Sequence, residues 1–230
     1  MSVIEENIKV LREKVAEKAV KTGRNPEEIK IVAVSKTFGV EEIKEALRCG
    51  IKIIGENKVQ EAERKFFQIE DSFQKHLVGH HQTNKVKKAL GIFDMIQSLD
   101  STKLAGEISK RAKESGKVMD VLVEVNTSKE ETKFGLSPKE VFDFLKQVSV
   151  LEGLKVKGLM TIGLFTPDAE KTRPCFKILK EIFERIKQEN IPNLEMEYLS
   201  MGMTSDFEVA IEEGSNMVRV GTFIFGEREV

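Results

Sequence analysis

Short apolar runs and amphipathic segments alternate along this chain almost from end to end. The first amphipathic stretch, roughly Ser2 to Lys21, repeats apolar residues at helical spacing (Ile4, Ile8, Leu11, Val15, Ala19) and stops at Gly23, which predicts a helix. The run Ile31 to Ser35 is apolar and β-branched and lies between Pro26 and Gly39, the signature of a strand buried on both faces. A helix is predicted over Glu41 to Arg48. Further strand candidates are Ile53–Ile54, His76 to Val78, Phe93 to Gln97, Val118 to Val125, Leu154 to Ile162, Met196 to Leu199 and Met217 to Val220. Between them the pattern predicts helices over Asn57 to Glu70, from Thr83, from Ser101, from Ser137, over Ala169 to Glu189 and from Asp206.

Eight apolar runs, each followed by a helix or the chain end, predict parallel strands joined by crossover helices. The simplest closed architecture is an α/β fold of one domain over residues 1–230, a single (β/α)8 TIM barrel; an open doubly wound sheet is the second choice. Gly221 to Val230 are too few for a full closing helix, so the N-terminal helix is expected to cover that gap. No repeat or linker suggests a second domain, and the longest loop candidate is Asn126 to Pro138.

Composition removes several classes. The 230 residues are 40% hydrophobic and 33% charged, enough for a real core, and 37 basic against 38 acidic residues leave a net charge of −1. That balance predicts neither a nucleic-acid nor a membrane partner. Two cysteines, Cys49 and Cys175, are too few for a disulfide framework and fit a reducing cytoplasm. Met1 to Thr22 is charged, unlike a signal sequence, and no apolar run approaches the ~20 residues of a membrane span, so a soluble, unprocessed protein is expected.

Candidate chemistry collects at the predicted strand ends. Lys36 ends the first strand, where such folds carry out chemistry; as an isolated feature it reads as a lysine that snorkels to solvent. The loops after the last two strands contain Ser200, Gly202, Thr204, Gly221 and Thr222, suited to cradling a phosphate, although the same residues populate ordinary turns. An amine at one strand end and a phosphate cradle at another suggest a phosphorylated carbonyl ligand, and pyridoxal 5'-phosphate (PLP) satisfies both. His76, His80 and His81 lack metal-ligand spacing, so a hydrogen bond or solvent exposure is expected of them and no metal is predicted. Lys85, Lys87 and Lys88 read as a solvated helix face, Met201 and Met203 as packing under the cradle, and Lys133 as a surface lysine.

The segments Ala33-Val34-Ser35-Lys36, Gly55-Glu56-Asn57 with Val59-Gln60-Glu61, His76-Leu77-Val78-Gly79-His80 with Asn84-Lys85, Gly158-Leu159-Met160-Thr161, Leu199-Ser200-Met201-Gly202-Met203 with Asp206, and Val218-Arg219 with Gly221-Thr222 and Phe225-Gly226 together resemble, in order and nearly end to end, the YggS/PROSC family of pyridoxal phosphate homeostasis proteins. The resemblance implies a barrel like the N-terminal domain of alanine racemase, with PLP held as an internal aldimine on Lys36. It also implies cofactor contacts by Asn57, Ser200, Gly202, Gly221 and Thr222, the phosphate on Ser200 and the Gly221-Thr222 pair, and Arg219 facing the pyridine nitrogen. His81, Lys58 and Thr204-Ser205 depart from the family pattern and touch only rim contacts.

A two-base racemase takes a second base, a tyrosine, from a further β domain across a dimer interface. Here the chain ends after its last strand, and its one tyrosine, Tyr198, falls inside a predicted strand. The expectation is therefore a monomeric protein that stores, delivers or buffers PLP, with PLP-dependent apo-enzymes as the implied recipients. The alternatives are a small PLP-dependent racemase or lyase and, more distantly, a sugar-phosphate barrel.

Overall fold

Eight parallel strands close on themselves in chain order, β1 pairing with β8, in a computed structural model that describes residues 2–128, 130, 132–189 and 191–227. The strands are β1 (Lys30–Val34), β2 (Ile53–Glu56), β3 (Gln74–Leu77), β4 (Met95–Leu99), β5 (Met119–Glu124), β6 (Leu154–Met160), β7 (Leu194–Ser200) and β8 (Met217–Val220). The helices are α1 (Val3–Lys21), α2 (Val40–Arg48), α3 (Val59–Phe66), α4 (Val86–Ile92), α5 (Thr102–Glu114), α6 (Val141–Val148), α7 (Arg173–Gln188), α8 (Phe207–Glu212) and the short α9 (Thr222–Phe225). This is the barrel the periodicity predicts. Met1 at the start of the first predicted helix, Lys129 and Glu131 of the long loop, and residues 228–230 of the tail lie outside the described residues.

Helix α1 buries the predicted stripe, Ile4, Ile8, Leu11, Val15 and Ala19, and Ser2 caps it in a reciprocal capping box with Glu5. Among the described residues four helical ones follow β8, and α1 packs against α8 and α9 over that seam. Asn7 Nδ2 donates to the Ile224 carbonyl (3.1 Å), and Lys14 and Lys18 pair with Glu208 and Glu212 of α8.

Strand alternation separates two apolar layers. Val32, Val34, Ile53, Val78, Met95, Leu122, Met160 and Met217 fill the barrel, while Ala33, Ile54, Leu77, Ile96, Val121, Val123, Leu159, Val218 and Val220 face the helices. Element boundaries differ from expectation where side chains capture the backbone. Ser137 takes Glu140 Oε2 on its own N–H and hydroxyl, so the first turn is irregular and α6 begins at Val141 instead of Ser137. Phe93 caps α4 through Ala89 O (2.9 Å) instead of opening β4. Predicted to run to Glu70, α3 ends at Phe66.

Candidate functional site

Toward their carboxyl ends the strands change what they present to the barrel. Period two puts Gln97 on the face of Met95, Glu124 with Leu122, Ser200 with Tyr198 and Arg219 with Met217, so a polar layer follows the apolar one. Arg219 is only 5% exposed; Nη1 donates to Ser200 Oγ (2.7 Å) and Nη2 to the Thr161 carbonyl (2.8 Å). A guanidinium has no acceptor and a serine has one hydroxyl proton, so Ser200 must pass its proton to Gln97 Oε1 (2.7 Å). Gln97 Nε2 then donates to His76 Nδ1 (2.8 Å). Burial pushes His76 down to about 3, which keeps the ring neutral and able to accept. Burial also lowers Arg219 to about 10, against the opposing charges of Glu124 and Asp206, so the guanidinium remains cationic at neutral pH.

Glu124 is 5% exposed, and burial pushes its carboxyl up to about 7, with Asp100 adding to the rise and Arg219 opposing it. Since the folded value lies above the ordinary 4.5, the stability tied to this proton is present at low pH and is lost as pH rises through about 7. At ~1.36 kcal/mol per pH unit, Glu124→Gln in cofactor-free protein is expected to gain roughly 1–3 kcal/mol at pH 8 and nothing at pH 4.5, read from denaturant curves. Lower stability than the parent at pH 8 would show that attraction to Arg219 outweighs burial.

Lys36 lies just beyond β1, half-buried, in a turn over Ser35–Phe38 that the Phe38 N–H closes on Ser35 O (3.0 Å). Its neighbour Thr37 has φ +73°, a left-handed conformation that costs a β-branched residue ~1–3 kcal/mol. This turn abuts the end of the chain. Phe38 stacks on Phe225 at 5.0 Å, and a Cβ on Gly221 would come within 3.2 Å of Val34 O, two residues before Lys36. Thr222 opens α9 and is exposed.

The loop after β7 turns at Gly202 with φ +91°, where a Cβ would stand 2.5 Å from Ala210 Cβ and 2.9 Å from Phe207 Cα. Its carbonyl accepts the Arg219 N–H (3.0 Å), and Asp206 Oδ1 holds the Met203 N–H (2.6 Å). Gly202→Ala combines left-handed strain of ~1–2 kcal/mol with overpacking of ~1–3 kcal/mol. A loss of about 2–4 kcal/mol is expected, and a thermal midpoint within 2 °C of the parent, on the order of 1 kcal/mol or less, would mean that the loop relaxes. Thr204 Oγ1 accepts the N–H groups of Gly221 (3.3 Å) and Phe223 (3.4 Å), which ties the loops after β7 and β8 together. Asn57, partly exposed after β2, is packed from the next loop: a Cβ on Gly79 would lie 2.5 Å from its carbonyl O.

The structure thus brings Val34 and Phe38, which flank Lys36, against Gly221 and Phe225, and places Arg219 and Ser200 in the polar layer of the barrel. Ser200 has its hydroxyl proton committed to Gln97, so toward Arg219 it acts as an acceptor. Lys133 departs from the expected surface role: its Nζ donates to Gly163 O (2.9 Å) and pairs with Glu130 (3.0 Å), joining two rim loops. Met201 packs in the outer core, while Met203 is partly exposed. His80 pairs with Asp100 (3.2 Å) and stacks on Phe134, whereas His81 is buried with Nε2 lacking a partner among the described residues. Tyr198, half-buried on the inner face, has its phenol pushed up to about 12 by burial and by Glu197. Gln97 and Glu124 were not singled out as site residues by sequence reasoning; their signal was a polar residue two places after an inner apolar one.

A sequence profile of the family described as alanine racemase, N-terminal domain, matches residues 1–229. A relative from Aquifex aeolicus named pyridoxal phosphate homeostasis protein is 42% identical over 225 residues, covering 97% of this chain and 98% of that one. The chain belongs to the pyridoxal phosphate homeostasis family. Another likeness to this family member is PipY of Synechococcus elongatus, whose structure with PLP bound matches with a TM-score of 0.81 and 33% identity over 92% of this chain and 100% of that one. An alanine racemase from Clostridium difficile matches with a TM-score of 0.75 over 98% of this chain and 57% of its own length. At 17% identity that likeness shows the shared barrel alone.

Proposed function

We propose that this member of the pyridoxal phosphate homeostasis family binds PLP, holds it covalently through Lys36 Nζ, and stores, delivers or buffers it in the cytoplasm as a single-domain monomer, without efficient amino-acid turnover. The observation that supports the reading is the packing of the turn that carries Lys36 on the segment after β8, Phe38 on Phe225 and Val34 O beside Gly221, in a loop suited to a phosphate. When bound, PLP supplies an aldehyde with which a lysine amine condenses, releasing water.

The residues present fit such a group. Gly221, Thr222 and the loop at Gly202 form the phosphate side, with Thr204 linking the two segments. Arg219 would face the pyridine nitrogen, where a buried cation would disfavour protonation of that nitrogen and so weaken the ring as an electron sink. Ser200 belongs with Gly221 and Thr222 to that phosphate side and also accepts from Nη1 of the guanidinium, while Asn57 lines the rim. A racemase needs a second base in its working protonation state. Tyr198, its phenol held protonated until about pH 12, does not suit that role, and Lys133 is engaged by Gly163 and Glu130. PLP-dependent apo-enzymes are the recipients this role implies.

The test is a titration with PLP followed by borohydride and peptide mapping. A visible absorption band that borohydride removes, with the mass of reduced PLP on Lys36, is expected; label only at other lysines would refute the reading. On the enzyme side, alanine or serine racemisation near the median enzyme turnover of ~10 per second would overturn the carrier role.

A further inference from the structure

The turn that carries Lys36 is held by charged groups of β2 and α3. Lys65, on α3, donates its Nζ to Ser35 O (2.9 Å), the same carbonyl that closes the turn, and to Glu56 Oε1 (2.7 Å). Ser35 Oγ donates to that same Glu56 oxygen (2.7 Å). On the other side of Lys36, the Thr37 N–H reaches Glu61 Oε2 (3.4 Å), which lies 3.6 Å from Lys65 Nζ. Ser35 and Glu56 are fully buried, and the Lys65 side chain is 14% exposed.

This arrangement is costly for stability alone. Buried ion pairs seldom repay their desolvation relative to apolar packing, and Glu56 Oε2 is buried with no partner among the described residues. Thr37 is also strained, and a strained backbone persists only where its surroundings over-determine it. The contacts converge on the residues immediately before and after Lys36, so they constrain where its side chain starts.

We propose that Lys65, with Glu56 and Glu61, is a positioning residue for Lys36: it locks the Ser35–Phe38 turn so that the amine meets an incoming aldehyde. The proposal rests on the reading of Lys36 as the PLP lysine. In the step concerned, the neutral Lys36 amine adds to the aldehyde carbon, the carbonyl oxygen leaves as water with two protons, and a C=N bond replaces C=O; borohydride then delivers hydride to that bond. Lys65 takes no part in the chemistry and acts through the turn.

The test compares the parent with Lys65→Met, Lys65→Arg, Glu61→Gln and the double variant Glu56→Gln/Lys65→Met. The double variant removes both buried charges and serves if Lys65→Met leaves Glu56 too costly to fold. For every protein that melts cooperatively, two readouts are taken: hydrogen exchange of the Thr37 and Phe38 amides without cofactor, and the rate of borohydride-trapped PLP label on Lys36. Expected are at least tenfold faster exchange and tenfold slower labelling in Lys65→Met or the double variant, a smaller change of both in Glu61→Gln, and partial rescue by Lys65→Arg. Exchange of β5 amides, far from the turn, should be unchanged. Parent-like labelling in a folded variant without Lys65 overturns the positioning role. If the parent itself takes no label at Lys36, the cofactor reading fails first and this proposal with it.

Discussion

Lys36→Ala is expected to fold as the parent does and to lose the borohydride-trapped PLP adduct entirely. Lys36 belongs to neither apolar layer and sits in a turn beyond β1, so truncation should alter stability by less than about 1 kcal/mol, the usual range away from the core. Chemistry is the opposite case, because the variant loses the amine that condenses with the aldehyde. Lys65 is held by Glu56 and the Ser35 carbonyl, and Lys133 by Gly163 and Glu130. Reversible PLP binding through the loops after β7 and β8 should survive in weakened form. Peptide mapping after borohydride distinguishes these outcomes: stoichiometric label within the cofactor site of the Ala variant would show that another amine carries the linkage.

Arg219→Met is expected to be among the most destabilising single changes in this protein. The substitution preserves much of the volume but leaves Glu124 and Asp206 without the cation that faces them, and it strips Ser200 Oγ and Thr161 O of their donors. Taking the charged donor away from two buried acceptors typically costs ~2–6 kcal/mol, which for a chain of this size lowers the melting temperature by roughly 4–24 °C. The cost should depend on pH. Glu124 already stands at about 7, and losing the arginine pushes it higher, so by pH 5 it is neutral in both proteins and that part of the penalty disappears. Denaturant curves at pH 8 and pH 5 should therefore show a larger loss at pH 8. An equal loss at both would mean that the lost hydrogen bonds, and not charge, dominate. Arg219→Glu would be worse than either, since it adds a carboxylate where two already face inward.

The polar layer also explains which parts of the site could be read in one dimension. The stripe of α1, the helix start at Ser101 and the eight apolar runs are local patterns, set by helical spacing and strand alternation. Family-like motifs at strand ends pointed to Lys36, Arg219 and the glycine loops because each motif is short and contiguous. The boundaries that shifted, at Ser137, Phe93 and Phe66, did so where a side chain or a cap competed with a propensity.

By itself, then, the sequence determined the alternation of strands and helices and the family, because these depend on periodicities and motifs carried by neighbouring residues, while closure of the barrel over an open sheet came with the pairing of β1 and β8. Only the tertiary structure decided that Glu124 of β5, Asp206 before α8 and Arg219 of β8 share one buried field, and that the Ser200 proton is spent on Gln97 of β4. It alone brought Phe225 onto Phe38 and Lys65 behind Lys36. The physical reason is that a pKa and the direction of a hydrogen bond depend on distances across the barrel. Those distances exist only once β1 and β8 have paired and desolvated the groups between them.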